Sequence, residues 1–527
     1  MQTLTQISLS IVTSVLLPAG CMYFFWRRRR QSALLVEKRI RTDQEEKPLS
    51  GFVRSGWESV QDAFQQNVLE DREGNGSQVC VFHKGECVVN LAGGSSSSTS
   101  SIPPTKTPTS STPSSSTTSP SLTASAGVDT TSLLALFSSS KILESLCIAM
   151  LEDRNLLSYD EPISKYWPEF GDKISTSITV GELMRHQSGL SGIHESLVFS
   201  STKEWMDTFS DPLLLEEWLL RNKLEWGATA SSESAESSSM MPSPPRAAYN
   251  AVTRGLYASC LLRHVDPMKR TMNQFFQDEI ARPLSVSNDV MMVLRPEYAH
   301  RVACHDASSS FCFTILKFLM HVILPEKFCQ YLYGEFDTLY PYEVKAGWAF
   351  ATSKMRRRTV RISKDQHLNL QGSANDLRLL SVLMPSSSGV ATAKALAKIF
   401  SALACGGTDR NNGVRLLSQK GLKNATRERR KDGGGDDGGD DGGRGCFDEI
   451  LFRKVRIASC GWGLDRFEFV GFPHWIGWCG VGGSVCLFNL QTETSFVYLP
   501  SRLDVRVYKP RGLRLLKAVQ DLVEKMR

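Results

Sequence analysis

No C-x-x-C pair occurs among the thirteen cysteines of this chain, and the count is odd. A full disulfide framework therefore has no basis, and neither does a zinc site built on paired cysteines. No H-E-x-x-H or clustered histidine pattern supplies metal ligands, so no metal or other cofactor is expected. The Asp pairs within Asp432 to Gly445 lack the EF-hand spacing and its closing glutamate, which removes a calcium loop. The G-x-S-x-G elbow is missing, so an α/β-hydrolase lacks its main signal. The excess of charge of one sign is also small. The net charge is +6, and Arg27 to Arg30 supply four of those charges. The remainder is nearly balanced, which gives no footing to a nucleic-acid binder.

What is there is a long, apolar-rich chain. Its 527 residues are 41% hydrophobic, ample for a large core. Length alone suggests two to four domains, yet one enzyme unit with insertions also fits. Several cysteines sit in apolar runs, such as Cys260 in YASCLL and Cys486 in SVCLFN. They read as buried free thiols in a reducing compartment.

Ile7 to Trp26 form an apolar run without a charged residue. Such a run makes a helix of about 30 Å, the thickness of a bilayer core. Tyr23 to Trp26 put aromatic rings at the interface, and Arg27 to Arg30 follow. Basic residues stay on the cytoplasmic side, so a single-pass anchor with a cytoplasmic body is expected. A cleaved signal peptide needs its charges before the apolar stretch. A mitochondrial presequence fits less well, because the first 26 residues contain no arginine. A lumenal or secreted body is the alternative, with sequons at Asn75 and Asn424 open to glycosylation.

Residues 31–50 are charged and polar, a tether. Val79 to Leu91 reads as two strands around a Lys84-Gly85 turn. Residues 95–126 are almost wholly Ser, Thr and Pro, too polar to offset chain entropy. Residues 228–245 are Ser-rich, and 432–445 alternate Gly and Asp. All three read as insertions. Lys141 to Leu156 has apolar residues at helical spacing, and so has Leu513 to Met526.

The sharpest chemical feature is Phe137-Ser138-Ser139-Ser140-Lys141. A serine hydroxyl needs a nearby base to attack at neutral pH. Positions i and i+3 share a helix face, so Ser138 and Lys141 meet. A lysine partly removed from water loses its proton more easily. Alone, S-x-x-K is a common pairing in a chain rich in both residues.

Its surroundings make it specific. The stretch FSSSKILESLCIAMLEDRNLLSYDEPISKYWPEF resembles the nucleophile helix of class C β-lactamase-related serine hydrolases, a family that includes esterases and the β-lactamase-like proteins of animals. Asn155-Leu156-Leu157, Asp160, Pro162 and Tyr166 to Phe170 follow the family's pattern. Ile178 to Leu190 is similar to its "I-T-V-x-x-L-L-x-H-T-S-G-L" block. Later blocks at Pro385 to Gly407, Leu416 to Ser418 and Gly461 to Leu464 also match, so the resemblance spans nearly everything from Gly51 to Leu503 outside the insertions.

By this resemblance Ser138 is the nucleophile and Lys141 its base. Tyr249, in Ala248-Tyr249-Asn250-Ala251, is the second catalytic element, passing the serine proton. Gly477-Trp478-Cys479-Gly480-Val481 matches the strand lining the site. Trp478 stands where lactamases carry a lysine, which favours a neutral ester or amide over a carboxylated β-lactam. Gly480 lets the strand approach the acyl group, and the Ser138 and Val481 amides form the oxyanion hole. His186 is a structural histidine heading a loop, not a member of a Ser-His-Asp triad.

The expected fold is α/β: a β-lactamase/transpeptidase-like antiparallel sheet from both chain ends, flanked by helices, with an all-helical lobe between. Residues 1–30 would be the anchor and its basic flank, 31–50 the tether, and 51–527 the β-lactamase-related domain. The expected activity is acyl-enzyme hydrolysis of a small ester or amide. A membrane-tethered scaffold that keeps the fold without useful turnover is the alternative.

Overall fold

The computed structural model describes residues 49–94, 127–226, 246–307, 357–365, 370–428, 446–451, 453–464, 472–503 and 510–527. The expected anchor at Ile7 to Trp26 and the tether lie outside these residues, as do the three low-complexity insertions, except that the tether's last two residues are described. Among the described residues, no helix is long and apolar enough to cross a membrane. Leu49–Arg527 form one compact unit.

The chain's first strands, β1 (Ser50–Val53), β2 (Ser77–His83) and β3 (Glu86–Gly93), flank helix α1 (Glu58–Leu69). The β2–β3 hairpin turns at Lys84 and Gly85, with φ of 51° and 89°. Paired left-handed residues give the twist that tight hairpins need. Its last strands are β4 (Trp475–Cys479), β5 (Val485–Asn489) and β6 (Thr494–Pro500), followed by a helix at Pro510–Lys525. The two groups join in one six-stranded antiparallel sheet, ordered β1-β3-β2-β6-β5-β4. The sheet is thus built from both chain ends, as expected.

Apart from the exposed edge strand β1, both of its faces are covered, so its strands read as apolar runs. The alternation still sorts them. Val79, Val81, Leu487 and Phe496 point to a core shared with α1 and the C-terminal helix. Cys80, Phe82, Cys486 and Val497 point to the larger core.

Between the two strand groups the chain is mainly helical. The principal helices are α2 (Lys141–Asp153), α3 (Val180–Met184), α4 (Thr202–Ser210), α5 (Pro212–Leu219), α6 (Thr253–Val265), α7 (Ala393–Ala404) and α8 (Gln419–Ala425), with the C-terminal helix as α9. Helix α3 starts on a capping box, in which Thr179 and Glu182 each bond the other's backbone. Helix α7 is rich in the strong helix formers alanine, leucine and lysine and lies across β2, β5 and β6. Its small residues allow that close approach. Helix α2 is buried at every position from Lys141 to Leu151 and packs on α6 and α8. Burial on all sides fits a central helix, and it leaves Lys141 and Glu144 inside the protein.

Candidate active site

The segment ahead of α2 carries the nucleophile motif. Phe137 holds φ at +48°, a left-handed conformation that is strained for a bulky residue. A single 3-10 turn, Phe137–Ser140, then feeds α2. Neighbours fix this turn. The Leu136 N–H donates to Gly389 O at 2.8 Å, and the Gly389 N–H donates to Ser140 Oγ at 3.1 Å. Ser139 and Ser484 join their hydroxyls at 2.9 Å. Ser138, half-buried, sits at the start of the helix where backbone amides lack intrahelical partners.

The Tyr249 hydroxyl donates to Ser138 Oγ at 2.7 Å. Residues 111 positions apart are thereby brought into direct contact. Lys141 lies beside them and is fully buried. Its Nζ donates to Ala251 O at 2.6 Å and to Ser386 O at 3.3 Å. The same nitrogen is 5.0 Å from the Tyr249 ring centroid. Burial holds the Lys141 ammonium below its ordinary pKa, against the opposing pull of Tyr249 and Glu144. Lys141 and Ser138, expected to meet, are not joined by a hydrogen bond of their own. Two carbonyls hold the amine, Ala251 O just ahead of α6 and Ser386 O, while the phenol bonds the nucleophile.

Tyr249 is fixed from several sides. Its N–H donates to Asp448 Oδ1 at 3.3 Å. The next amide, Asn250 N–H, donates to His186 Nδ1 at 3.1 Å, and Ala248 N–H donates to His186 O at 2.9 Å. His186 also meets the tyrosine ring edge-on, with centroids 4.9 Å apart. An imidazole whose Nδ1 accepts a backbone amide has no carboxylate orienting that nitrogen, so it does not fit a Ser-His-Asp triad. It acts as a structural residue that holds the tyrosine loop.

Strand β4 closes the site. A Cβ on Gly480 would lie 2.4 Å from Ser484 Oγ and 2.6 Å from Leu136 O, so only glycine fits where the strand meets the nucleophile turn. The following turn is held by Gly480 N–H to Ser484 O at 3.0 Å and Gly483 N–H to Gly480 O at 3.1 Å. Neither bond uses the amide of the half-buried Val481.

A family model described as β-lactamase matches residues 61–520. The chain belongs to the β-lactamase family. Within this family of serine hydrolases, the chain is 28% identical over 375 residues to the esterase/β-lactamase LipL of Mycobacterium tuberculosis, covering 70% of this chain and 68% of that protein. Its fold superposes on a family VIII carboxylesterase with a TM-score of 0.63 and 22% identity, over 90% of this chain and all of that one. It also superposes on a penicillin-binding protein homologue from Caulobacter crescentus, with a TM-score of 0.62 and 23% identity, again over 90% and 100% of the two chains. The architecture is therefore the β-lactamase/transpeptidase-like α/β fold.

Seen within the family, the third motif holds the largest departure from expectation. Trp478 was expected to line the substrate site. It is only 1% exposed and stacks on Tyr249 at 6.0 Å and 16°. The Arg254 guanidinium lies 5.5 Å from the indole centroid. A flat ring fills the space between the tyrosine and that cation, so Trp478 supports the site from beneath.

Sequence reasoning missed the layer below this ring. Arg254 and Glu144 form an ion pair whose side chains are both 0% exposed. Arg254 also donates to Met184 O, Gly461 O, Lys141 O and Ser145 Oγ, at 3.0 to 3.2 Å. Glu144 accepts from Ser386 Oγ at 2.8 Å, and Ser386 O is one of the two carbonyls that hold Lys141. One signal was available: Glu144 is the one charged residue within the apolar run Ile142 to Leu151. An acid at that place calls for a buried partner.

Proposed function

We propose that this β-lactamase-family hydrolase cleaves small neutral esters through an acyl-enzyme on Ser138. The observation that carries the reading is the 2.7 Å hydrogen bond between the Tyr249 and Ser138 hydroxyls, beside the buried Lys141. Burial favours the neutral amine, which takes the phenol proton. The phenolate then accepts the Ser138 proton as Oγ attacks the ester carbonyl. The Ser138 and Val481 amides receive the oxyanion, and each such donor is worth about 3 kcal/mol. Tyr249 returns the proton to the leaving alkoxide. Water, deprotonated by the same pair, releases the acid and regenerates Ser138.

The preference for a neutral substrate rests on position 478. A buried indole there offers no cation to a substrate carboxylate. The names of the mycobacterial esterase/β-lactamase and the family VIII carboxylesterase support ester chemistry. The test is fluorophosphonate labelling of wild type against Ser138→Ala, with short-chain nitrophenyl esters run beside nitrocefin. Labelling of wild type alone, and turnover of the esters in preference to nitrocefin, is the expected result. Equal labelling of both proteins, or none of wild type, removes the nucleophile and leaves the scaffold reading. We also propose that Ile7 to Trp26 anchor the chain in a membrane, on the strength of twenty uncharged residues followed by four arginines. Release of the full chain by alkaline carbonate would refute the anchor.

A further inference from the structure

Cys80 and Cys87 stand on the two strands of the β2–β3 hairpin. The ladder pairs Val81 with Val89 and then Phe82 with Cys87, so Val88 is an extra residue on β3. That bulge matters for the cysteines. In a regular ladder Cys87 would face His83, on the sheet face opposite Cys80. A one-residue shift moves a side chain to the other face. Here it turns Cys87 inward, and the two sulfurs lie 3.7 Å apart. Closing them to a bond of about 2.05 Å needs side-chain rotation and no rearrangement of the ladder.

The two thiols have unequal surroundings. Cys80 is wholly buried, whereas Cys87 is only partly buried. The positive charges of Lys394 and Arg54 both act on Cys87. Partial exposure in a basic environment is what makes a cysteine nucleophilic. The Cys87 thiol, which also contacts Val89 O at 3.6 Å, is held below its ordinary pKa by the hydrogen bond from Cys80 first and by these cations. Burial pushes the Cys80 thiol up, and it does the same to Cys147, Cys260, Cys460 and Cys486.

The geometry points to a peroxide-reactive dithiol, in which Cys87 is the attacking sulfur and Cys80 the resolving one. The Cys87 thiolate attacks one oxygen of hydrogen peroxide. The O–O bond breaks, Cys87 becomes a sulfenic acid, and the other oxygen leaves as water after taking a proton. The Cys80 sulfur then attacks the Cys87 sulfur, the S–O bond breaks, and a second water departs. In total two thiols are oxidised to one disulfide and one peroxide is reduced to two waters. An external thiol reverses the step. This assignment does not depend on the hydrolase reading.

The test uses the reduced full-length chain, treated with limiting hydrogen peroxide and digested with trypsin without reductant. Cleavage after Arg72, Lys84 and Lys106 puts the two cysteines on separate peptides. The expected product is residues 73–84 linked to 85–106, two hydrogens lighter than their sum, formed before any other cysteine oxidises. In Cys80→Ser the bridge is lost and dimedone traps a sulfenic acid on Cys87. In Cys87→Ser, Cys80 stays a thiol. Oxidation of other cysteines while both peptides remain free, or equal dimedone trapping at Cys87 in wild type and Cys80→Ser, would overturn the proposal. The wild-type digest decides the matter even where a variant fails to fold.

Discussion

Replacing Arg254 with methionine keeps much of the side chain's bulk and removes every hydrogen bond it makes. Glu144 then retains Ser386 Oγ as its partner and loses the guanidinium, while Met184 O, Gly461 O and Lys141 O lose a donor. The site is 0% exposed on both sides, so water does not substitute. Removing one member of a buried ion pair costs about 3–5 kcal/mol. For a unit as long as Leu49–Arg527, an unfolding entropy of about 2.1 cal/mol/K per residue gives about 1 °C per kcal/mol, so the unfolding midpoint falls by about 3–5 °C. Arg254→Met combined with Glu144→Gln removes the stranded charge, so the double variant recovers about 1 kcal/mol or more of the loss. Thermal scans at one fixed rate compare the four proteins. Fluorophosphonate labelling below every midpoint then reads the site, where loss of support under Lys141 and Trp478 slows the reaction of Ser138. A midpoint for Arg254→Met within about 1 °C of wild type, or strict additivity in the double variant, would refute the reasoning.

Tyr249→Phe deletes the hydroxyl bonded to Ser138 and lowers the labelling rate by about 10²–10⁴-fold, with little change in the unfolding midpoint. Gly480→Ala pushes a methyl against Leu136 O, and the resulting displacement of about 1 Å reduces ester turnover by about 100-fold; near-normal turnover would show that strand β4 does not set the geometry. For Lys141 the native pKa lies below the ordinary value of 10.5. The labelling rate therefore rises with pH as the amine loses its proton, and Lys141→Arg, charged throughout, loses that rise. In the same window, from the depressed pKa up to 10.5, the unfolded chain binds the extra proton, so this group's contribution makes stability rise with pH. His305 acts in acid. Burial lowers its pKa from 6.5 to about 4, so between those values only the unfolded chain is protonated there, and stability falls as pH falls. At about 1.4 kcal/mol per pH unit the loss approaches about 3 kcal/mol. His305→Phe, measured by urea unfolding at pH 7 and 4, shows a smaller acid loss than wild type.

Local features were legible because they are written in neighbouring residues. The β2–β3 hairpin followed from two apolar runs around Lys84-Gly85. Helix α2 followed from apolar spacing, although it ends at Asp153 where the reading extended to Leu156. The order of motifs pointed to the β-lactamase family, and that family accounts for the sheet built from both chain ends. Ser138, Tyr249 and Gly480 were named from these motifs, and the structure gathers them around one turn. Val481 follows Gly480 in the turn after strand β4.

Contacts between distant segments were not legible. The separation of three residues between Ser138 and Lys141 gave the helix face, but not the carbonyls of Ala251 and Ser386 that turn the amine toward the phenol. The position of Trp478 in its motif gave its strand. Its burial was decided by Tyr249 on one side and Arg254 below. Glu144 and Arg254 are 110 residues apart, and either charge alone reads as an ordinary polar residue. Sequence determined which elements form, because propensity and periodicity act over a few residues. The partners of each buried polar group were decided by tertiary packing, since only the folded chain removes water and obliges those groups to satisfy one another.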